Sequence, residues 1–146
     1  MAGHFLHILH GKTPSDLHRR VMDVSLVLYA EHEFNASTFT SRVCASTMSD
    51  IHSCVVAAIG SLRGPLHGGA NEKAMELIEN WTSREEAKEN ILSMLERKEK
   101  IMGFGHAVYS IRDPRNAVIK EFAEELSKLA PNDSLYQVAE EVEKVM

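Results

Sequence analysis

The chain has 146 residues, with 21 acidic against 16 basic side chains, a formal net charge of −5 and 44% hydrophobic residues. That length and balance fit a globular domain with a real core and exclude a disordered or fibrous chain. No basic stripe of the kind that grips a nucleic-acid backbone stands out, and no apolar run reaches the roughly 18 residues of a membrane span. An anionic small molecule remains compatible, because a few Arg and His in a cleft can hold one on an acidic protein. Cys44 and Cys54 lie in apolar stretches without CxxC spacing, so buried free thiols are expected. The opening Met1-Ala2-Gly3-His4 shows no basic region followed by an apolar segment, so with these thiols a cytoplasmic location is expected.

The patterning is helical throughout and predicts an all-α fold. Thr13-Pro14-Ser15-Asp16 reads as a helix start, with Thr13 as cap and Pro14 at the first position. The helix carries Leu17, Val21, Val24 and Leu28 at helical spacing and continues to about His32. From Val24 to Ala30 it is apolar nearly all round, which predicts burial. Two helices follow, Phe39 to Met48 and Ile51 to Leu62, parted near Ser49-Asp50. Arg63-Gly64-Pro65-Leu66-His67-Gly68-Gly69 breaks the pattern, and a further helix runs through Ala74, Leu77 and Ile78 to Trp81. Ser83-Arg84-Glu85-Glu86 is a capping box opening a helix through Ala87, Ile91 and Leu95. Gly103-Phe104-Gly105 interrupts again. Asp113-Pro114 opens a helix with Val118, Phe122 and Leu126 on one face, and Ser134-Leu135-Tyr136-Gln137 starts the last one. A domain boundary is expected at the glycine cluster, dividing the chain into 1–67 and 68–146.

Three histidines stand outside ordinary helix surface. His32 ends the apolar helix, where it can donate a hydrogen bond to an anion; the plain alternative is a histidine satisfied by local carbonyls. His67 sits between glycines that allow close backbone approach and a projecting side chain, or else is incidental to a helix-breaking turn. His106 follows a Gly-x-Gly that lacks the third glycine and preceding strand of a dinucleotide fingerprint. Arg115 falls in a helix first turn, where guanidinium and free N–H groups can share a carboxylate; a solvated surface arginine is the alternative. His4, His7 and His10 are spaced for one helix face, but no Cys or carboxylate completes a metal set. His32-Glu33 lacks the second His of HExxH, and the glycine cluster lacks the lysine of a Walker A loop.

Gly64-Pro65-Leu66-His67-Gly68-Gly69-Ala70-Asn71, Gly103-Phe104-Gly105-His106-Ala107-Val108-Tyr109 with Asp113-Pro114-Arg115, and Glu31-His32-Glu33-Phe34-Asn35-Ala36-Ser37-Thr38 resemble the signature segments of citrate synthases. Within that family, Met22 to His32 and Asp113 to Lys120 look most like the bacterial 2-methylcitrate synthases.

The resemblance implies an all-helical, two-domain homodimer that condenses an acyl-CoA with oxaloacetate. It needs no metal or cofactor, since the CoA thioester is a substrate. Residues 1–67 would be the central part of the large domain and 68–146 most of the small one. By the same resemblance His67 stabilises the enol of the thioester, His106 protonates the oxaloacetate ketone, and His32 and Arg115 hold oxaloacetate. Ile101, Met102, Gly103, Phe104 and Gly105 would lie against the adenine of CoA. The family's catalytic base is an aspartate that no Asp here matches in context. It is expected beyond Met146, and residues 1–146 alone are expected to be inactive. The rival class is a non-catalytic helical interaction module of the same fold.

Overall fold

A computed structural model describes residues 1–30, 32–106 and 109–146. Glu31, Ala107 and Val108, which belong to the motif segments, lie outside the described residues. Those residues form eight α-helices and no strand, as the periodicity predicts: α1 (Ala2–His10), α2 (Asp16–Leu28), α3 (Ala36–Ser46), α4 (Ile51–Leu62), α5 (Gly69–Glu79), α6 (Arg84–Glu96), α7 (Pro114–Ser127) and α8 (Ser134–Val145). None of them is long and apolar enough to cross a membrane.

The helices fall into two compact units, one formed by Met1–His32 with Ala107–Tyr136, the other by Glu33–His106 with Gln137–Met146. Each unit therefore draws on two separated stretches of chain.

In the first unit, α1 and α7 pack on α2. At Gly3 an added Cβ would lie 3.1 Å from Cδ of the Arg19 side chain on α2. On the α7 side the Arg20 guanidinium rests over the Phe122 ring, 5.5 Å from its centroid. The cap of α2 is Ser15, not Thr13: its side chain accepts the His18 N–H, so Pro14 precedes the cap instead of opening the helix. Thr13 and Ser15 are both competent caps two residues apart, and the hydroxyl that reaches a free N–H wins. No residue of α2 is buried and Val27 is 72% exposed, so the predicted cover for the apolar Val24–Ala30 turn is not supplied by the described residues.

The second unit has its core among α5, α6, the segment after α6, and α8 from Gln137 on. Trp81, Ala87, Ile91, Ile101, Val138 and Val142 bury one another, with Leu77, Ile78, Met94 and Val145 packed around them. Ser83 caps α6 by accepting the Glu86 N–H. The reciprocal half of the capping box shifts by one residue: Glu86 Oε2 accepts from the Thr82 backbone N–H at 2.8 Å and from Thr82 Oγ1 at 3.0 Å. Across the surface of this core, Arg84 pairs with Glu140 at 2.6 Å, tying α6 to α8. In the same unit α3 and α4 form an antiparallel pair capped by Asn35 and Asp50, with Phe39, Ile51, Val56 and Ile59 exposed. Cys54 is buried and Cys44 half-buried, both as free thiols.

Candidate functional site

In the first unit the end of α2 and the start of α7 assemble a charged cluster. Asp113 caps α7, its Oδ1 accepting the Arg115 backbone N–H at 2.9 Å. Pro114 occupies the first helical position, where its missing N–H is no loss. The same carboxylate grips the Arg115 side chain: Nε lies 3.0 Å from Oδ1 and 3.1 Å from Oδ2, and Nη2 lies 2.6 Å from Oδ2. The Arg115 guanidinium also sits over the Tyr29 ring, 5.6 Å from its centroid. His32 packs against Tyr109, ring centroids 5.9 Å apart.

The electrostatics agree with this arrangement. Hydrogen bonding to Arg115 is the main cause that holds the Asp113 carboxyl below its ordinary range, with a smaller contribution from His32. The Asp113 side chain in turn raises the Arg115 guanidinium, which stays charged. Of the residues expected to hold a dicarboxylate, the structure thus brings Arg115 and His32 into one electrostatic neighbourhood.

In the second unit, Asn35 caps α3, its Oδ1 accepting from the Thr38 N–H at 2.9 Å and the Ser37 hydroxyl at 2.8 Å. The Ser37 N–H, one of the free donors of this helix end, points at His67 Nε2 at 3.2 Å, and Ser37 Oγ lies 2.9 Å from the same nitrogen. A ring nitrogen that accepts an amide N–H must carry a lone pair, so with this bond made Nδ1 is the ring nitrogen that can donate. The geometry therefore assigns the tautomer.

His67 itself is set by a tight turn in which its N–H bonds Gly64 O at 2.9 Å. Gly68 and Gly69 serve this turn by their lack of a Cβ. A Cβ at Gly68 would fall 2.8 Å from Leu62 O, and one at Gly69 only 2.5 Å from Arg63 O. Their φ is not the constraint, since Gly68 is in the right-handed helical region.

The segment 101–106 runs from a buried anchor to an exposed tip. Ile101 is in the core, Phe104 N–H bonds Ile101 O at 3.4 Å, and Gly103 and Gly105 take φ of 97° and 78°, which favour glycine. The backbone at Gly103 lies on α5: a Cβ there would be 3.3 Å from Ala74 Cβ. His106 is exposed.

Among the described residues, no three His, Cys, Asp or Glu side chains gather as a metal site. His4, His7 and His10 lie on α1 without a carboxylate partner of that kind. Sequence reasoning missed Ser37, Asn35 and Tyr29 as neighbours of the candidate residues, and read Asp113 as a cap alone.

The family model "Citrate synthase, C-terminal domain" matches residues 1–146. The chain belongs to the citrate synthase family. It is 64% identical over 146 residues to the 2-methylcitrate synthase of Shewanella oneidensis, covering all of this chain and 39% of that protein. It is 45% identical over 145 residues to the citrate synthase of Deinococcus radiodurans, covering 99% of this chain and 38% of that one. The chain thus spans about two fifths of the length of these curated relatives. Among solved structures it matches the ternary complex of carboxymethyl coenzyme A and oxaloacetate with the citrate synthase of Thermoplasma acidophilum. That match has a TM-score of 0.92 and 35% identity, over 98% of this chain and 38% of that one.

Proposed function

We propose that this chain supplies substrate-binding and proton-donating groups of an enzyme that condenses an acyl-CoA with oxaloacetate, giving 2-methylcitrate or citrate and free CoA. The observation that carries the proposal is the His67 ring, docked through Nε2 on the Ser37 amide and presenting Nδ1–H. A thioester α proton is weakly acidic, so enolisation needs a base on carbon and a donor already aimed at the carbonyl oxygen. In this reading His67 Nδ1–H is that donor. The enol carbon then attacks the ketone carbon of oxaloacetate, and His106 gives a proton to the oxygen that becomes the hydroxyl. Water hydrolyses the resulting thioester and releases CoA. Arg115 and His32 bind oxaloacetate, a dianion that suits a charge-assisted donor set. Residues Ile101 to Gly105 receive the adenine of CoA through backbone groups, and the relative solved with oxaloacetate and a CoA analogue supports this choice of ligands.

The base is proposed to be an aspartate outside residues 1–146. Asp113, the one Asp inside the motif segments, is committed to Arg115 and the α7 cap. Residues 1–146 alone are therefore expected not to turn over. The chain is similar both to a 2-methylcitrate synthase and to citrate synthases, so propionyl-CoA and acetyl-CoA are both candidate substrates. The two differ by one methylene, worth about 1–3 kcal/mol in a fitted pocket. The division into a large-domain part, 1–67, and a small-domain part, 68–146, a homodimeric assembly and a cytoplasmic location belong to the same proposal.

The test is oxaloacetate-dependent thiol release by the complete gene product carrying this sequence, with propionyl-CoA and acetyl-CoA compared. Release with at least one is expected. None with either, from folded protein, overturns the enzymatic reading in favour of a non-catalytic helical module.

A further inference from the structure

Arg115 does not reach its neighbours as an ordinary surface arginine. A guanidinium has two edges that can each hold a carboxylate, the Nε–Nη2 edge and the Nη1–Nη2 edge. Asp113 takes the first edge with both oxygens, the contacts running from 2.6 to 3.1 Å. The Tyr29 ring lies on another side, its centroid 5.6 Å from the guanidinium carbon. The clamp is itself fixed, because Asp113 Oδ1 also holds the Arg115 backbone N–H and Pro114 restricts the residue between. The two-oxygen clamp thus sets the plane of the guanidinium, and with it the direction of the second edge, before any ligand arrives.

We propose that Asp113 is a positioning residue for oxaloacetate binding, acting through Arg115: it spends one guanidinium edge and part of the cationic charge to aim the other edge at a substrate carboxylate. This rests on the reading of Arg115 as an oxaloacetate ligand. Two opposing effects are at stake. The carboxylate cancels charge that would attract a dianion, which weakens binding. It also removes the rotamer freedom of a long side chain, so that less is lost on forming each hydrogen bond. At a bidentate site, orientation is the larger effect, because two parallel N–H···O bonds fail together when the plane tilts.

Asp113→Asn keeps a competent helix cap and an acceptor for the Arg115 N–H while abolishing the charged two-oxygen clamp. In the complete gene product, the Kd of oxaloacetate measured calorimetrically is expected to rise about ten-fold, the scale of one lost charge-assisted hydrogen bond. Its KM should rise in parallel, while the acyl-CoA KM at saturating oxaloacetate and the melting temperature stay near the parent values. Asp113→Ser, another capping residue, should do the same, which guards against a folding defect peculiar to Asn.

Because Asp113 acts through Arg115, Asp113→Asn added to Arg115→Ala should weaken oxaloacetate no further than Arg115→Ala alone. An unchanged or tighter Kd in the Asn variant overturns the proposal, the tighter one identifying Asp113 as a competitor for the arginine. Equal losses in both substrates with a lowered melting temperature also overturn it, as a structural role. If Arg115→Ala itself leaves oxaloacetate binding intact, the assignment of Arg115 fails instead, and that result is distinguishable from the others.

Discussion

Removing the Ser37 hydroxyl tests how His67 is held. Two groups of Ser37 meet His67 Nε2, the N–H at 3.2 Å and Oγ at 2.9 Å, while the same Oγ lies 2.8 Å from Asn35 Oδ1. A hydroxyl has one proton. It can go to Asn35 Oδ1 or to Nε2, not to both, whereas the amide proton has no second place to go. The N–H is therefore the group that fixes the tautomer, and the hydroxyl is a shared helper. Ser37→Ala deletes the helper and leaves the N–H in place. Losing one neutral hydrogen bond of about 0.5–1.5 kcal/mol should lower kcat by no more than about ten-fold.

His67→Ala removes the proposed donor itself, for which a loss of roughly 10²–10³ in kcat is expected. The two rates are compared by thiol release at saturating acyl-CoA and oxaloacetate, with circular dichroism to verify that both variants fold. If Ser37→Ala falls as far as His67→Ala, the hydroxyl carries the proton and the argument from the amide is wrong. If His67→Ala keeps a tenth of the parent activity, His67 is not the enol donor.

Further perturbations address the loop, the core and the acid side of the stability curve. Ala74→Leu adds bulk where Ala74 Cβ already meets the Gly103 backbone, and overpacking of about 1–3 kcal/mol should raise the acyl-CoA KM roughly five-fold or more with little change in the oxaloacetate KM. An unchanged acyl-CoA KM argues against CoA binding by that loop. Ile91, fully buried in the second-unit core, should destabilise by about 2–5 kcal/mol on replacement by Ala, read from the urea midpoint. Glu86 is held below its ordinary value, chiefly by the Thr82 backbone N–H and then by the Thr82 side chain. Its lowered value means a stabilisation present above the ordinary carboxylate range and lost as pH falls through the folded value. The urea midpoint of Glu86→Gln should therefore trail the parent at neutral pH and approach it on acidification; a constant gap refutes the linkage.

Local signals made much of this fold legible. Asp113-Pro114 and Ser83 announce α7 and α6 because a cap acts within three residues of itself, and the spacing of Ala87, Ile91 and Leu95 reports the α6 period directly. The frame failed at Thr13-Pro14-Ser15, where two hydroxyls flank one proline and only the path of the chain decides between them. The site divides along the same line. Its histidines stand out by their glycine contexts, but the contact of Ser37 with His67 spans 30 residues and leaves no periodic trace. Asp113 shows the opposite kind of miss: its capping role explained the residue so fully that the clamp on Arg115, two residues away, went unread. The glycines around His67 suggest room for close backbone approach to a ligand, whereas at Gly68 and Gly69 it is Leu62 O and Arg63 O that leave no room for a Cβ.

The two candidate groups are each set by neighbours from their own units. Arg115 is kept cationic by a carboxylate whose own proton affinity falls in return, so the pair resists neutralisation from either side. His67 is oriented by an N–H at the positive end of α3, which Nε2 accepts, leaving Nδ1 as the nitrogen that can donate. These settings suit the different tasks proposed for the two residues. Holding a dianion calls for a permanent charge. Stabilising an enol calls for a donor that gives hydrogen-bond strength without protonating the thioester oxygen outright, since a cationic imidazole would bind the ground state and any passing anion as well. Chemistry that needed His67 to donate from Nε2 would require the Ser37 amide to point elsewhere.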